Sequence, residues 1–87
     1  MEIVSYPAFF TPKNGEIKVD FPDLPEAFTQ GKTMTEAQEY AKLGLAITIN
    51  DKLGHFEPAP TPSDLKKLQK ENPGKNIQLV VVDLDKY

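Results

Sequence analysis

The chain has a single histidine, His55, beside Gly54, and no cysteine. A zinc site needs several converging nitrogen or sulfur ligands, so one imidazole without a thiol cannot build one. His55 is expected to be a solvated loop residue. Ser5 and Ser63 are the only serines, and neither stands in a nucleophile-elbow context that would supply a hydrolytic triad. Gly15, Gly31, Gly44, Gly54 and Gly74 are isolated, so no glycine-rich loop opens a helix to cradle phosphate. The carboxylates Asp20, Asp23, Asp51, Asp83 and Asp85 fall at or near the ends of expected elements, where divalent-metal nucleases hold their ions. Two-metal chemistry needs several of them to converge. Only Asp20 lies inside a strand pattern, where it alternates with the apolar face, and solvent exposure is its expected state. These residue types therefore point to no catalytic set, no metal and no cofactor. The expected activity is binding, not catalysis.

Charge narrows what could be bound. The 87 residues include 10 Lys, no Arg and 13 Asp plus Glu, for a net charge of -3. Without guanidinium groups the chain lacks the side chain best suited to guanine readout and phosphate clamping, and direct nucleic-acid binding is not expected. The first fifty residues hold 4 Lys and 7 acids, the remainder 6 of each, so a basic partner would meet the first half. Leu79-Val80-Val81-Val82 is the longest apolar run, far short of the ~20 residues that cross a bilayer. The start at Met1-Glu2 fits no signal peptide, and a cytoplasmic protein is expected. A domain of this size buries only about 60% of its unfolded surface. Support from self-association or a partner chain is therefore expected.

The elements that must carry this function are legible as changes of period. From Ile3 to Thr11 the even positions Val4, Tyr6, Ala8 and Phe10 are apolar, with Ile3 and Phe9 on the other face, which predicts a well-buried strand. Pro7 cannot donate to a ladder and must face an edge, a bulge or a non-bonded site. Pro12-Lys13-Asn14-Gly15 supplies a tight turn, and Glu16 to Phe21 alternates, so the two segments form a hairpin. A rigid corner at Pro22-Asp23-Leu24-Pro25 leads to a short third strand over Ala27 to Gly31. Thr33-Met34-Thr35-Glu36 matches a capping box and starts the main helix, which fades between Asn50 and Gly54. Met34, Ala37, Ala41 and Leu45 form one stripe of that helix; Tyr40, Leu43 and Ile47 form a second. Gly44, unfavourable in a helix interior, is either tolerated or marks close approach of another backbone. Pro58-Ala59-Pro60-Thr61-Pro62 is an extended connector. Ser63 caps a short helix over Asp64 to Lys70, and Ile77 to Leu84 reads as an inner strand beside the first. The expected architecture is α+β: a small, mostly antiparallel sheet in the order β-β-β-α-(α)-β, with the main helix packed on one face, in a single domain over 1–87.

One small sheet cannot cover both stripes of the helix. Phe9, Phe28 and the Tyr40, Leu43, Ile47 row are more apolar surface than such a sheet hides, which predicts an interaction surface. Candidate contacts are Asp23, Leu24, Phe28 and Gln30 at the corner, and Tyr40, Leu43 and Ile47 on the helix. The helix row suits a homodimer seam equally well, and a homo-oligomer is expected.

In order, Tyr6-Pro7-Ala8 with Phe10, Phe21-Pro22-Asp23-Leu24-Pro25, Phe28-Thr29-Gln30-Gly31, a capped helix with Glu36-Ala37 and Ala41, and Pro58-Ala59-Pro60-Thr61-Pro62-Ser63 resemble the N-terminal domain of HicB-type antitoxins. Val82-Asp83-Leu84 is similar to that domain's last strand. Where the family commonly has Gly-Cys, this chain has Glu26-Ala27. The resemblance implies a truncated ribonuclease-H-like fold without a working active site. It also implies a type II antitoxin that sterically blocks a small basic HicA-type toxin, an mRNA-cleaving ribonuclease. The C-terminal DNA-binding domain usual in that family is not expected within these residues. The alternatives are a homo-oligomeric relative with no toxin partner and a residual metal-dependent nuclease of the ribonuclease H type.

Overall fold

The computed structural model describes residues 2–87. Strand β1 (Ile3–Lys13) turns into β2 (Glu16–Asp20) through Asn14 and Gly15, both at positive φ (53° and 79°). That is the conformation for which Asn-Gly is the favoured pair, because its twist matches that of the flanking strands. After β2 the chain makes a 3-10 turn over Pro25–Ala27 and enters β3 (Thr29–Gly31). Ala27 and Phe28 therefore lie outside the strand expected there: Pro25 starts a turn, and a turn consumes the residues that would have extended β3. Helix α1 (Met34–Gly54), helix α2 (Leu65–Glu71) and strand β4 (Ile77–Asp83) follow, and Leu84–Lys86 closes with a second 3-10 turn. The sheet is antiparallel throughout, in the order β3-β2-β1-β4.

The register explains Pro7. The Phe10 amide donates to the Asn76 carbonyl, at 2.8 Å, on the β4 side of β1. Alternation then turns the nitrogen of Pro7 toward β2. Pairing with β2 begins only at Phe9, so the missing N–H falls where β1 has no strand partner on that side and removes no ladder bond.

Strand β4 does lie beside β1, with Val4 opposite Val82 and Tyr6 opposite Val80. It is the edge of the sheet, not an inner strand. Val80 and Val82 face the core, whereas Leu79 and Val81 are each 46% exposed. Its apolar character on both faces is thus not explained by burial on both.

The core lies between one sheet face and α1. Tyr6, Ala8, Phe10 and Val19 from the sheet and Phe21 just after β2 pack with Ala37, Ala41, Leu45, Ala46 and Ile49 from the helix, and Leu24, Ala27, Val80, Val82 and Leu84 complete it. The Thr33 hydroxyl accepts the Glu36 amide at 3.1 Å, and the Glu36 carboxylate accepts the amide of Lys32 at 3.0 Å, one residue earlier than a standard capping box. Gly44 does mark a close approach: a Cβ there would lie 3.1 Å from the Ala27 carbonyl oxygen. Helix α2 is capped by Asp64, which accepts the Lys66 amide at 3.0 Å, and not by Ser63. The reason is that Ser63 is engaged elsewhere.

Helix α1 ends in a Schellman arrangement, with the amide of Glu57 on the Lys52 carbonyl (2.8 Å) and that of Phe56 on the Leu53 carbonyl (3.1 Å). Phe56 holds the left-handed position at φ 58° and is 95% exposed. Glycine is favoured there because a Cβ is penalised, and this side chain recovers nothing by packing. Phe56→Gly is therefore expected to stabilise the fold by about 1 kcal/mol, a rise in Tm of roughly 4–8 °C. Thermal unfolding followed by circular dichroism checks this.

Candidate partner-binding surface

Helix α1 carries its two stripes at different angles, and the sheet can meet only one. Ala37, Ala41 and Leu45 are fully buried, while Tyr40, Leu43 and Ile47 are 44%, 43% and 57% exposed. The exposed three follow helical spacing, so they form one continuous apolar row directed away from the core. Phe28, 67% exposed, lines a shallow depression with Lys18, Thr29 and Gln30 at the β2–β3 margin. Ala27, just before it, presses its carbonyl against Gly44 next to Leu43. The corner and the helix row are thereby linked through one backbone contact.

Two of the corner residues are engaged within the fold. Leu24 is 1% exposed and part of the core; an apolar side chain following a rigid Pro-Asp corner turns inward because the buried space beneath the corner must be filled. Asp23 is half-buried, and both its oxygens are taken: Oδ2 accepts the Ser63 amide at 2.8 Å and Oδ1 the Ser63 hydroxyl at 2.6 Å. The Tyr6 hydroxyl donates to the Pro60 carbonyl at 2.5 Å. Burial, and then the Asp23 carboxylate, raise the Tyr6 phenol above its ordinary range. Asp23 and Tyr6 together pin the proline-rich connector to the sheet.

The acidic first half is also partly compensated within the chain. Glu26 pairs with Lys52 at 3.0 Å, and Lys52 lies 3.8 Å from Glu57. The Glu26 carboxyl is held below its ordinary range by its own backbone amide and then by Lys52. Both partners are accessible to solvent, so the pair orients side chains more than it stabilises. The carboxylates singled out for metal chemistry are dispersed. Among the described residues no three His, Cys, Asp or Glu side chains come together in a way that could hold a metal ion.

His55 sits at the C-terminal cap of α1, exposed, with Nδ1 at 2.8 Å from the Asp51 carbonyl oxygen and 3.5 Å from its carboxylate. A carbonyl only accepts, so Nδ1 carries the proton. The bond to the Asp51 backbone, and then the Asp51 charge, raise the imidazole above its ordinary range. A raised folded-state pKa stabilises the fold at pH below the unfolded imidazole's pKa, and that stabilisation is lost as pH rises through His55's own. A proton NMR titration is expected to place His55 above a free imidazole, and His55→Ala to remove the corresponding pH dependence of unfolding.

Among the described residues, no helix is long and apolar enough to cross a membrane. A family model described as a HicB-like antitoxin of bacterial toxin-antitoxin systems matches residues 6–87. Antitoxin HicB of Escherichia coli K12 is 43% identical over 61 residues, which cover 69% of this chain and 44% of that protein; the chain spans less than half the length of this curated relative. A chain of a toxin-antitoxin complex from Streptococcus pneumoniae superposes with a TM-score of 0.80 at 26% identity, over 98% of this chain and 72% of that one. The N-terminal domain of Burkholderia pseudomallei antitoxin HicB superposes with a TM-score of 0.77 over 92% of this chain and 99% of that one; its 23% identity bears on the fold alone. With a family model covering nearly the whole chain and a sheet and helix arranged as in these relatives, the protein belongs to the HicB-like antitoxin family.

Proposed function

We propose that this chain is the neutralising module of a type II antitoxin: it binds a small basic toxin protein of the HicA type and covers the surface on which that toxin cleaves mRNA, with no chemistry of its own. The observation that carries this reading is the exposed row Tyr40, Leu43 and Ile47 on a helix whose opposite stripe is completely buried. Such a row contributes nothing to this chain's own core, and aromatic and aliphatic anchors of this kind supply most of the binding energy at protein interfaces. Phe28 and Gln30 extend the contact. The net charge of -3 favours encounter with a cationic RNA-binding surface, while apolar burial governs residence.

Co-expression with the small basic reading frame next to the gene tests it. The neighbour alone is expected to arrest growth, and this chain to restore it. Leu43→Glu combined with Ile47→Glu is expected to keep the wild-type unfolding midpoint yet weaken toxin binding by roughly 100-fold or more, since two central anchors are each worth about 2 kcal/mol. Failure of the wild type to rescue defeats the functional reading. Full rescue by the double variant leaves the function standing and moves the surface elsewhere.

A further inference from the structure

Strand β4 leaves the sheet open over a short window. The Asn76 carbonyl and the Leu84 amide both bond across to β1, to Phe10 and Glu2 at 2.8 Å each, and the register between them is unbroken. Even-numbered residues of β4 thus direct their backbone groups at β1, and odd-numbered residues direct theirs outward. The outward carbonyl of Ile77 is already engaged, accepting the Gln69 side-chain amide of α2 at 3.5 Å. At the other end the chain turns into the 3-10 segment Leu84–Lys86. Between them Leu79 and Val81 offer two amides and two carbonyls that no strand of the described residues pairs with, and no lysine or proline blunts the stretch. A groove of about 300 Å³ runs along this window against α1, walled by Gln38, Glu39 and Lys42 of the helix and by Gln78 and Val80 of the strand. Gln38 and Gln78 bond to each other at 2.9 Å. Lys42 is half-buried, and no carboxylate among the described residues pairs with its ammonium group.

We infer that this window and its groove dock a short extended segment of another protein, an acidic residue between two apolar ones, which adds antiparallel to β4 as a fifth strand. Main-chain bonds supply the affinity in this mode of recognition, and sites for alternate side chains supply the specificity. The segment's central residue, opposite Val80, shares that residue's face and enters the groove, where its carboxylate gives Lys42 the partner it lacks within the chain. The two flanking residues lie opposite Leu79 and Val81 and exchange both hydrogen bonds with each, four in all. Their side chains fall on the far face beside those of Leu79 and Val81, each 46% exposed, which favours apolar groups. The width of the window selects a short segment over a long strand, since α2 covers the backbone at Ile77. Charge selects the acid, because a cation in the same place would stand against Lys42. Glu39 shares that wall but is exposed, so solvent screens it more than half-buried Lys42. Tyr40, Leu43 and Ile47 take no part, and the site stands whether or not those residues meet a toxin.

An NMR titration of the isotope-labelled 87-residue chain with the peptide acetyl-Thr-Val-Glu-Val-Thr-amide tests this. Saturable shifts are expected, largest at the Leu79 and Val81 amides and at Lys42, with the Val80 and Val82 amides, bonded to β1, protected from exchange throughout. Replacing the peptide's Glu by Lys is expected to weaken binding at least ~10-fold. Lys42→Glu should reverse that preference while keeping the wild-type unfolding midpoint, since Lys and Glu have similar helix propensities. Methylating the backbone nitrogens of the peptide's two Val residues, which removes both bonds donated to the Leu79 and Val81 carbonyls, is expected to abolish binding. Equal binding of the Glu and Lys peptides overturns the inference, as does undiminished binding of the methylated one. So does the absence of saturable shifts at millimolar peptide. Protection of the Leu79 and Val81 amides before any peptide is added overturns it as well, because the edge would then already be closed.

Discussion

Replacing Gly31 by alanine is expected to destabilise the fold by about 3 kcal/mol, the upper end of the usual range for forcing atoms into a packed interior. A Cβ at Gly31 would stand 2.5 Å from the Ala37 amide nitrogen, 2.8 Å from its Cα and 2.9 Å from the Glu36 carbonyl carbon. All three are backbone atoms in the first turn of α1, so no rotamer change relieves the clash. The helix would have to lift off β3, breaking the contact that lets Ala37 and Ala41 lie fully buried. At roughly 4–8 °C per kcal/mol for a domain of this size, Tm should fall by more than 10 °C. Gly44→Ala is the control. Its Cβ would meet one atom, the Ala27 carbonyl oxygen at 3.1 Å, and the resulting small shift is offset by the ~1 kcal/mol that alanine gains over glycine in a helix. Urea denaturation of the two variants should therefore separate widely. Similar midpoints would mean that α1 does not rest on β3 as described.

The contrast between these glycines marks what a sequence can and cannot tell. Gly44 was conspicuous because a glycine inside a helical pattern calls for a reason, and the reason is the Ala27 carbonyl. Gly31 ends a strand, where glycine is unremarkable, and the backbone it touches belongs to an element that follows it. The hairpin was legible because Asn14-Gly15 and the alternation on both sides are local. The exposure of Tyr40, Leu43 and Ile47 was legible because the angle between two helical stripes is fixed by geometry alone. The position of β4 was not. A strand that is apolar on both faces reads as an inner strand, and only the pairing order reveals an edge. Nor could the corner be resolved, since Leu24 and Asp23 are both turned inward by elements distant in sequence.

Asp23 shows what that distance hides. Its carboxylate accepts two bonds from Ser63, 40 residues later, and Tyr6 holds the Pro60 carbonyl nearby. The connector carries no core residue of its own, so these bonds, together with α2 against β4, determine where it lies. Asp23→Ala removes both acceptors and leaves the Ser63 amide and hydroxyl half-buried without them. Hydrogen bonds to a charged group contribute about 1.5–3 kcal/mol each and are not independent here, so a loss of about 3 kcal/mol is expected. Ser63→Ala keeps the amide bond and removes the hydroxyl, for about 1–2 kcal/mol. The double variant should be little worse than Asp23→Ala alone, because once the carboxylate is gone the Ser63 hydroxyl has nothing to give. Additive losses in that cycle would show that Asp23 acts on something other than Ser63. Hydrogen exchange supplies the spatial readout: in Asp23→Ala the amides of Ser63 and α2 should lose protection ahead of those in β1 and β2. Some of the residues that carry the likeness to antitoxins, Tyr6, Asp23 and the Pro58–Ser63 run, are thus the two ends of one staple. Their pattern reports how the fold is closed, whereas the exposed row on α1, which takes no part in that closure, is the surface we propose for a partner.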